Sequence, residues 1–344
     1  MSVDVKAFDM RTADDLSGLE AALAAAGADG IRRLALLMRV AGEYTDGSRE
    51  KARAAIAALL ARKNLSDKTQ YVTVIGAEGA STPCGYAFID SGNTGSRNGP
   101  RRLALGIARA ASPPEETIGT AAFAVAVKAA VEAGINDGGM QPADAQVVIV
   151  NVPQPTSGDV GLRGRKGRAA AALGAGLALG EIAQDQVRDD TIASDGSLFT
   201  SRVQTFTGPA IANLEVIVVG NAPGGGGDLV ACNTLTTDLL DMRSVKRMLV
   251  KAGLPLDRDG ELNTSRLVAT LAKLGVDPSG RVSGAPTTIF GSATPPEKHV
   301  RAALSGALGA TLHTTRLFST FDPVQQAPVG GGTVCCILRH AAQS

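Results

Sequence analysis

A run of apolar residues, Leu267 to Ala272, leads directly into Lys273, and the turn GVDPSG follows at 275–280. A lysine in that setting has two uses. At the end of a buried strand its stem covers apolar surface while its ammonium reaches water. Enclosed in a low-dielectric pocket beside other cations, it sheds its proton near neutral pH and can serve as a base for a hydroxyl nucleophile. A second set of residues bears on that choice. Three Ala-rich stretches begin at Ser48, Gly164 and Pro295, and each carries a basic residue that the pattern places in its first helical turn: Arg49, Arg168 and Lys298. A cation is locally unfavourable there, because a helix N-terminus is already electropositive. Its repetition at matched positions predicts a cluster of cations able to hold an anion or a polarised carbonyl.

The elements that must position these residues also repeat. LEAALAAAG ends at Gly27, AVKAAVEAGI contains Gly134, and SVKRMLVKAGL contains Gly253. Each reads as an apolar helix stopped by a glycine able to take the left-handed C-terminal conformation. The Ala-rich helices form the second set. The third set is strand-like: IRRLALLMRV and TQYVTVIGAEG, then AQVVIVNVPQP and NLEVIVVGNAPGGGG, then RLVATLAKLG and GTVCCILRHA. The order helix, strand, helix, strand recurs in three units, at 1–111, 112–234 and 235–344. One such sheet with two helices leaves a face exposed, so the units must bury their sheets against one another. The expected fold is α/β, with three repeat units in a pseudo-threefold arrangement, sheets inside as a barrel-like core and helices outside.

Composition narrows the function classes. The 344 residues are 44% hydrophobic but only 3% aromatic, and the net charge is +1 with no block of like charges. That excludes the basic face a nucleic acid requires. No apolar run reaches the ~18 residues of a membrane helix, and the alternating, charged N-terminus is unlike a signal peptide. A cytoplasmic protein is expected. The cysteines Cys84, Cys232, Cys335 and Cys336 lack metal spacing, and the adjacent pair would point to opposite faces of a strand. His299, His313 and His340 are dispersed and make no zinc site. The four glycines at 224–227 lack the Gly-Lys-Ser/Thr ending of a phosphate loop.

The chain resembles the cyanuric acid hydrolase and barbiturase family of ring-opening cyclic amidohydrolases along nearly its full length. The stretches that carry the resemblance are DLSGLEAAL, EGASTPCGYAF, RRLALGIARAASPPEETIGT, AVKAAVEAGI, ALGAGLALGEI, LAKLGVDPSGRVSG and APVGGGT, in the family's order. The resemblance implies three concatenated α/β units around a central pocket that takes a flat ring with several carbonyls. It implies a lysine, a serine and an arginine from each unit, with the middle unit's Lys–Ser pair performing catalysis.

Carried over residue by residue, the lysine positions fall on Arg39, Asn151 and Lys273. The serine positions fall on Val74, on Thr205 (or Phe206 with one residue gapped), and on Thr320 with Ser319 beside it. Gly76 and Glu78 remain from the first unit's Ser-Gly-Gly-x-Glu motif, and the arginine positions fall on Arg49, Arg168 and Lys298. Neither Asn nor Thr can act as a general base, so a persisting ring-opening reaction has moved to Lys273, with Thr320 or Ser319 as nucleophile, or uses water assisted by Glu78. Arg49, Arg168, Lys298, Arg39, Asn151, Thr205 and Gly76 would bind substrate. Arg39, Asn151 and Lys273 differ in charge and length, which points to an asymmetric, more anionic ring or its ring-opened acid. The resemblance implies no organic cofactor and a homo-oligomer. It places a structural metal near APVGGGT, but the acidic partner is replaced near Val324, so no metal is assigned. The alternatives are an isomerase or lyase using Lys273 and Glu78, and a ligand-binding relative without catalysis.

Overall fold

Period-two alternation gives every central strand two buried faces. In β2 (Arg33–Val40) it sends Leu34, Leu36 and Met38 to one face and Ala35 and Leu37 to the other. The second face ends on Arg39. The same split recurs in β6 (Ala145–Pro153), where Val147 and Ile149 precede Asn151. It recurs again in β10 (Leu267–Leu274), where Ala269 and Leu271 precede Lys273. The computed structural model describes residues 2–42, 46–76, 79–92, 99–208, 211–288 and 296–340, with backbone alone for 296–299.

Each central strand belongs to a unit of one topology. The first comprises β1 (Val3–Asp9), α1 (Ser17–Ala26), β2, α2 (Ser48–Arg62), β3 (Thr69–Ile75) and β4 (Cys84–Asp90). The second comprises β5 (Arg102–Ala111), α3 (Ala121–Asp137), β6, α4 (Val160–Leu179), β7 (Val203–Gly208) and β8 (Asn213–Ala222). The third comprises β9 (Leu229–Thr236), α5 (Met242–Lys251), β10, the short hairpin β11 (Arg281–Val282) and β12 (Ala285–Pro286), α6 (Pro296–Leu312), β13 (Phe318–Phe321) and β14 (Gly332–Arg339). The four-stranded sheets run β1-β4-β2-β3, β5-β8-β6-β7 and β9-β14-β10-β13. In all three, the first strand is antiparallel to the last, the last antiparallel to the second, and the second parallel to the third.

One core gathers inner-face residues of all three sheets, among them Val5, Leu37, Leu105, Ile149, Leu271 and Ile337. Three outer cores lie between each sheet and its own pair of helices. The sheets are therefore inside and the helices outside. Side-chain packing closes the interior; among the described residues the sheets stay separate and form no continuous hydrogen-bonded barrel. Cys335 packs in the central core and Cys336 in an outer one, the opposite faces expected of neighbours on a strand.

Two details differ from the sequence expectation. The boundaries at 111 and 234 cut through sheets: β5 pairs with β8 in the second sheet, and β9 with β14 in the third. Each unit opens with a strand before its first helix, so the divisions fall between β4 and β5 and between β8 and β9. Gly134 does not stop α3, which continues to Asp137. It is instead a contact point, because a Cβ there would meet Val218 and Val216 at 3.1 and 3.2 Å. Among the described residues no helix is long and apolar enough to cross a membrane.

Candidate active site

Where the parallel strand pairs end, the three units converge on a cavity of about 800 Å³. Strand register fixes what faces it. Arg39 pairs with Val74, Asn151 with Phe206, and Lys273 with Thr320. Val74, Phe206 and Thr320 all line the cavity, one from each unit. Of their three partners only Lys273 does.

Lys273 is 3% exposed. Its Nζ donates to the Phe321 carbonyl at 2.9 Å and lies 3.4 Å from Thr320 Oγ1. The Phe206 ring centroid is 4.6 Å from the same nitrogen. Burial pushes the ammonium down to about 7; Arg168 and Arg301 act in the same direction, and Asp322 opposes them. A lysine so placed is substantially unprotonated at neutral pH, beside a hydroxyl it could deprotonate.

The other two lysine-position residues have become struts between units. Arg39 is buried, and its Nη1 donates to Ser319 O at 2.8 Å and its Nη2 to Gly76 O at 2.5 Å. It ties β2 to the third unit's β13, one residue before Thr320. Asn151 Nδ2 donates to Tyr71 O and Glu215 Oε2, both at 3.0 Å, joining the second unit to the first. Asn151 and Arg53 border a small recess of about 30 Å³ that shares Arg49, Val74 and Phe206 with the main cavity. Arg39, Asn151 and Gly76, for which binding roles are expected, are not among the residues that line the main cavity.

Two hydroxyl candidates face away, because adjacent strand residues point to opposite faces. Ser319 Oγ is 3.1 Å from Ser81 Oγ, and Thr205 Oγ1 donates to Arg168 O at 3.1 Å. Phe206 holds the position opposite Asn151 that the sequence assigned first to Thr205. Glu78 lies outside the described residues. So does the Lys298 side chain, although its backbone is in the first turn of α6.

Among the described residues, the cations at the cavity are Arg49, Arg168, Lys273 and Arg301, with Glu50 and Asp322 as the acids. Arg49 sits in the first turn of α2, as expected, but Arg168 does not share that position. Helix α4 begins at Val160, where Asp159 Oδ1 accepts from Leu162 N at 2.9 Å, so Arg168 lies more than two turns in. Helix register explains Arg301: the buried Ala52, Gly167 and Val300 immediately precede Arg53, Arg168 and Arg301. The triplet Arg-Ala-Ala repeats at all three places and could have singled out Arg301, three residues past Lys298. In the first unit Arg53 stacks on Tyr71 at 4.8 Å, and Arg49, one turn earlier, reaches the cavity.

Asp322 went unnoticed in the sequence. Its backbone holds φ 60°, the left-handed conformation that favours glycine. Its carboxylate accepts from Arg168 Nη2 and lies 3.0 Å from Arg165 Nη1. The stretch that the family associates with a metal lacks a carboxylate here. Val324 is buried among apolar side chains, and the neutral Gln325 amide donates to the Thr191 and Asp195 carbonyls at 2.9 and 3.1 Å. These residues do not fit a metal held by an acid at that position, and no step below uses one.

The profile of the family described as amidohydrolase ring-opening protein matches residues 4–339. A cyanuric acid amidohydrolase of Bradyrhizobium sp. (strain ORS 375) is 30% identical, with 98% of this chain and 97% of that protein covered. A cyclic amide hydrolase of Azorhizobium caulinodans is 29% identical over 98% of this chain and 100% of that protein. Among solved structures, a cyanuric acid hydrolase from A. caulinodans superposes with a TM-score of 0.86 at 27% identity, covering 99% of both chains. A cyanuric acid hydrolase structure described as an innovation by structural concatenation gives 0.87 at 26% identity, covering 98% of this chain and 99% of that one.

Proposed function

Because the chain belongs to the ring-opening amidohydrolase family, we propose that it hydrolyses a carbon–nitrogen bond of a cyclic imide or ureide, with Lys273 as base and Thr320 as nucleophile. The observation that carries this reading is the Lys273–Thr320 pair. It joins a buried amine with a depressed pKa to a hydroxyl on the adjacent strand, both facing the cavity. The middle unit pairs Asn151 with Phe206 instead, and at that pair offers neither a base nor a nucleophile.

The steps follow from these groups. Unprotonated Lys273 takes the Thr320 hydroxyl proton as Oγ1 attacks a ring carbonyl carbon. Charge develops on the carbonyl oxygen, and Arg168 and Arg301 supply positive charge near it. The intermediate collapses, the ring C–N bond breaks, and the nitrogen leaves with the proton carried by Lys273. The opened chain stays esterified to Thr320. Water then attacks the ester and gives a proton to Lys273, which returns it to Oγ1 as the acid departs.

Incubation with a panel of cyclic imides and ureides, read by mass spectrometry, tests this. At least one ring should gain a single water. Lys273→Ala should slow that reaction by about 10²–10⁴-fold. Unchanged turnover in Lys273→Ala would exclude the proposed base.

A further inference from the structure

Of the three threefold-related positions opposite the lysine sites, two are apolar. Val74 and Phe206 stand where Thr320 stands in the third unit, and all three line the same cavity. Ile75, Val160 and Ile211 extend the apolar lining. Arg168 and Arg301 line the same cavity as Lys273 and Thr320. Arg168 is also engaged by Asp322 and, at 3.3 Å, by Thr207 Oγ1.

Consider a flat ring docked with one carbonyl at Thr320. Pseudo-threefold symmetry turns its remaining edges toward Val74 and Phe206. A carbonyl there would gain no donor from Val74 or Phe206 themselves and would depend on Arg49 and Thr207 in the same lining. An alkyl or aryl group there would be buried against matching surface. The cavity, at about 800 Å³, leaves room for a substituent beyond the ring itself.

Resting on the ring-opening reading, we propose that the substrate is a cyclic imide or ureide bearing an apolar substituent, seated against Val74, Phe206 and Ile211 with its scissile amide at Thr320. Phe206 and Ile211 are then specificity-determining residues.

Calorimetric titration of the Thr320→Ala protein with hydantoin, 5-phenylhydantoin and cyanuric acid reads the preference without turnover, and the wild-type protein is assayed for opening of the same rings. The phenyl-substituted ring should bind at least about tenfold tighter than its parent. Phe206→Ala should bring that ratio close to one. Phe206 is also a core residue, so Ile211→Ala, at a half-buried position, serves as the second variant and should lower the ratio in the same direction. Equal binding of the two hydantoins, or tighter binding of cyanuric acid than of the substituted ring, would overturn the proposal. A kept binding ratio with no ring opened by the wild-type protein would sustain the pocket assignment and sink the hydrolytic reading alone.

Discussion

Replacing Lys273 by Met keeps side-chain length and bulk while removing the amine. The consequence for stability can be worked from the site. Holding the ammonium's pKa at about 7, against an ordinary 10.5, means the folded protein binds this proton more weakly than the unfolded chain. Stability contributed at this position therefore rises with pH between those two values. Below pH 7 the burial costs up to about 5 kcal/mol, and by pH 9 it has fallen to about 2 kcal/mol. The methionine bears none of this cost. It does leave the Phe321 carbonyl without its donor, a loss of about 1–3 kcal/mol that does not vary with pH. The informative quantity is thus the slope. Urea denaturation of both proteins at pH 6, 7.5 and 9 should show the wild type gaining roughly 2–3 kcal/mol on Lys273→Met across the range. Other titrating groups are common to both proteins and cancel in the difference. A difference that stays flat with pH would mean that Lys273 is protonated throughout, and the base assigned to the site would be lost.

Further expectations concern the same groups. Activity should fall on the acid side of about pH 7 as Lys273 gains its proton. Arg301→Gln should move that limb to higher pH, and Asp322→Asn to lower pH, because the two residues act on Lys273 in opposite directions; a pH–rate profile of each variant reads the shift. Thr320→Ser should keep turnover, since the hydroxyl remains and its β-methyl goes, whereas Thr320→Val should lower kcat by about 10³-fold or more, measured on whichever ring the wild type opens. Asn151→Ala should cost about 1–3 kcal/mol in thermal or urea unfolding by leaving Glu215 and the Tyr71 carbonyl short of a donor, with kcat per folded molecule unchanged.

The repeat itself was legible, because the Ala-rich helices and the apolar strands recur in order and strand periodicity is set by burial on two faces. The entry strands β1, β5 and β9 were less so. Reading each unit from its first helix assigned β5 and β9 to the preceding unit, and only hydrogen-bonding to β8 and β14 reassigns them. That Lys273 and Thr320 line one cavity was legible because the sequence retains an amine and a hydroxyl at paired positions. The frame of each element decides which of the remaining candidates reach the cavity. A one-residue slip on a strand turns a side chain to the other face, which moved Thr205 and Ser319 out of the cavity and put Phe206 in. Arg301 lines the cavity three residues past Lys298, whose side chain lies outside the described residues. The fates of Arg39 and Asn151 could not be read locally, since their partners Ser319, Gly76, Tyr71 and Glu215 come from distant strands and turns.

The most direct test of the Lys273–Thr320 assignment is intact-protein and peptide mass spectrometry of enzyme quenched by acid during turnover of a cyclic imide that it opens. Ring opening expels no fragment, so the ester intermediate should add the whole mass of the substrate, and the adduct should map to the peptide containing Thr320 and vanish in Thr320→Val. Turnover that persists in Thr320→Val, or an adduct carried by another residue, would contradict the assignment.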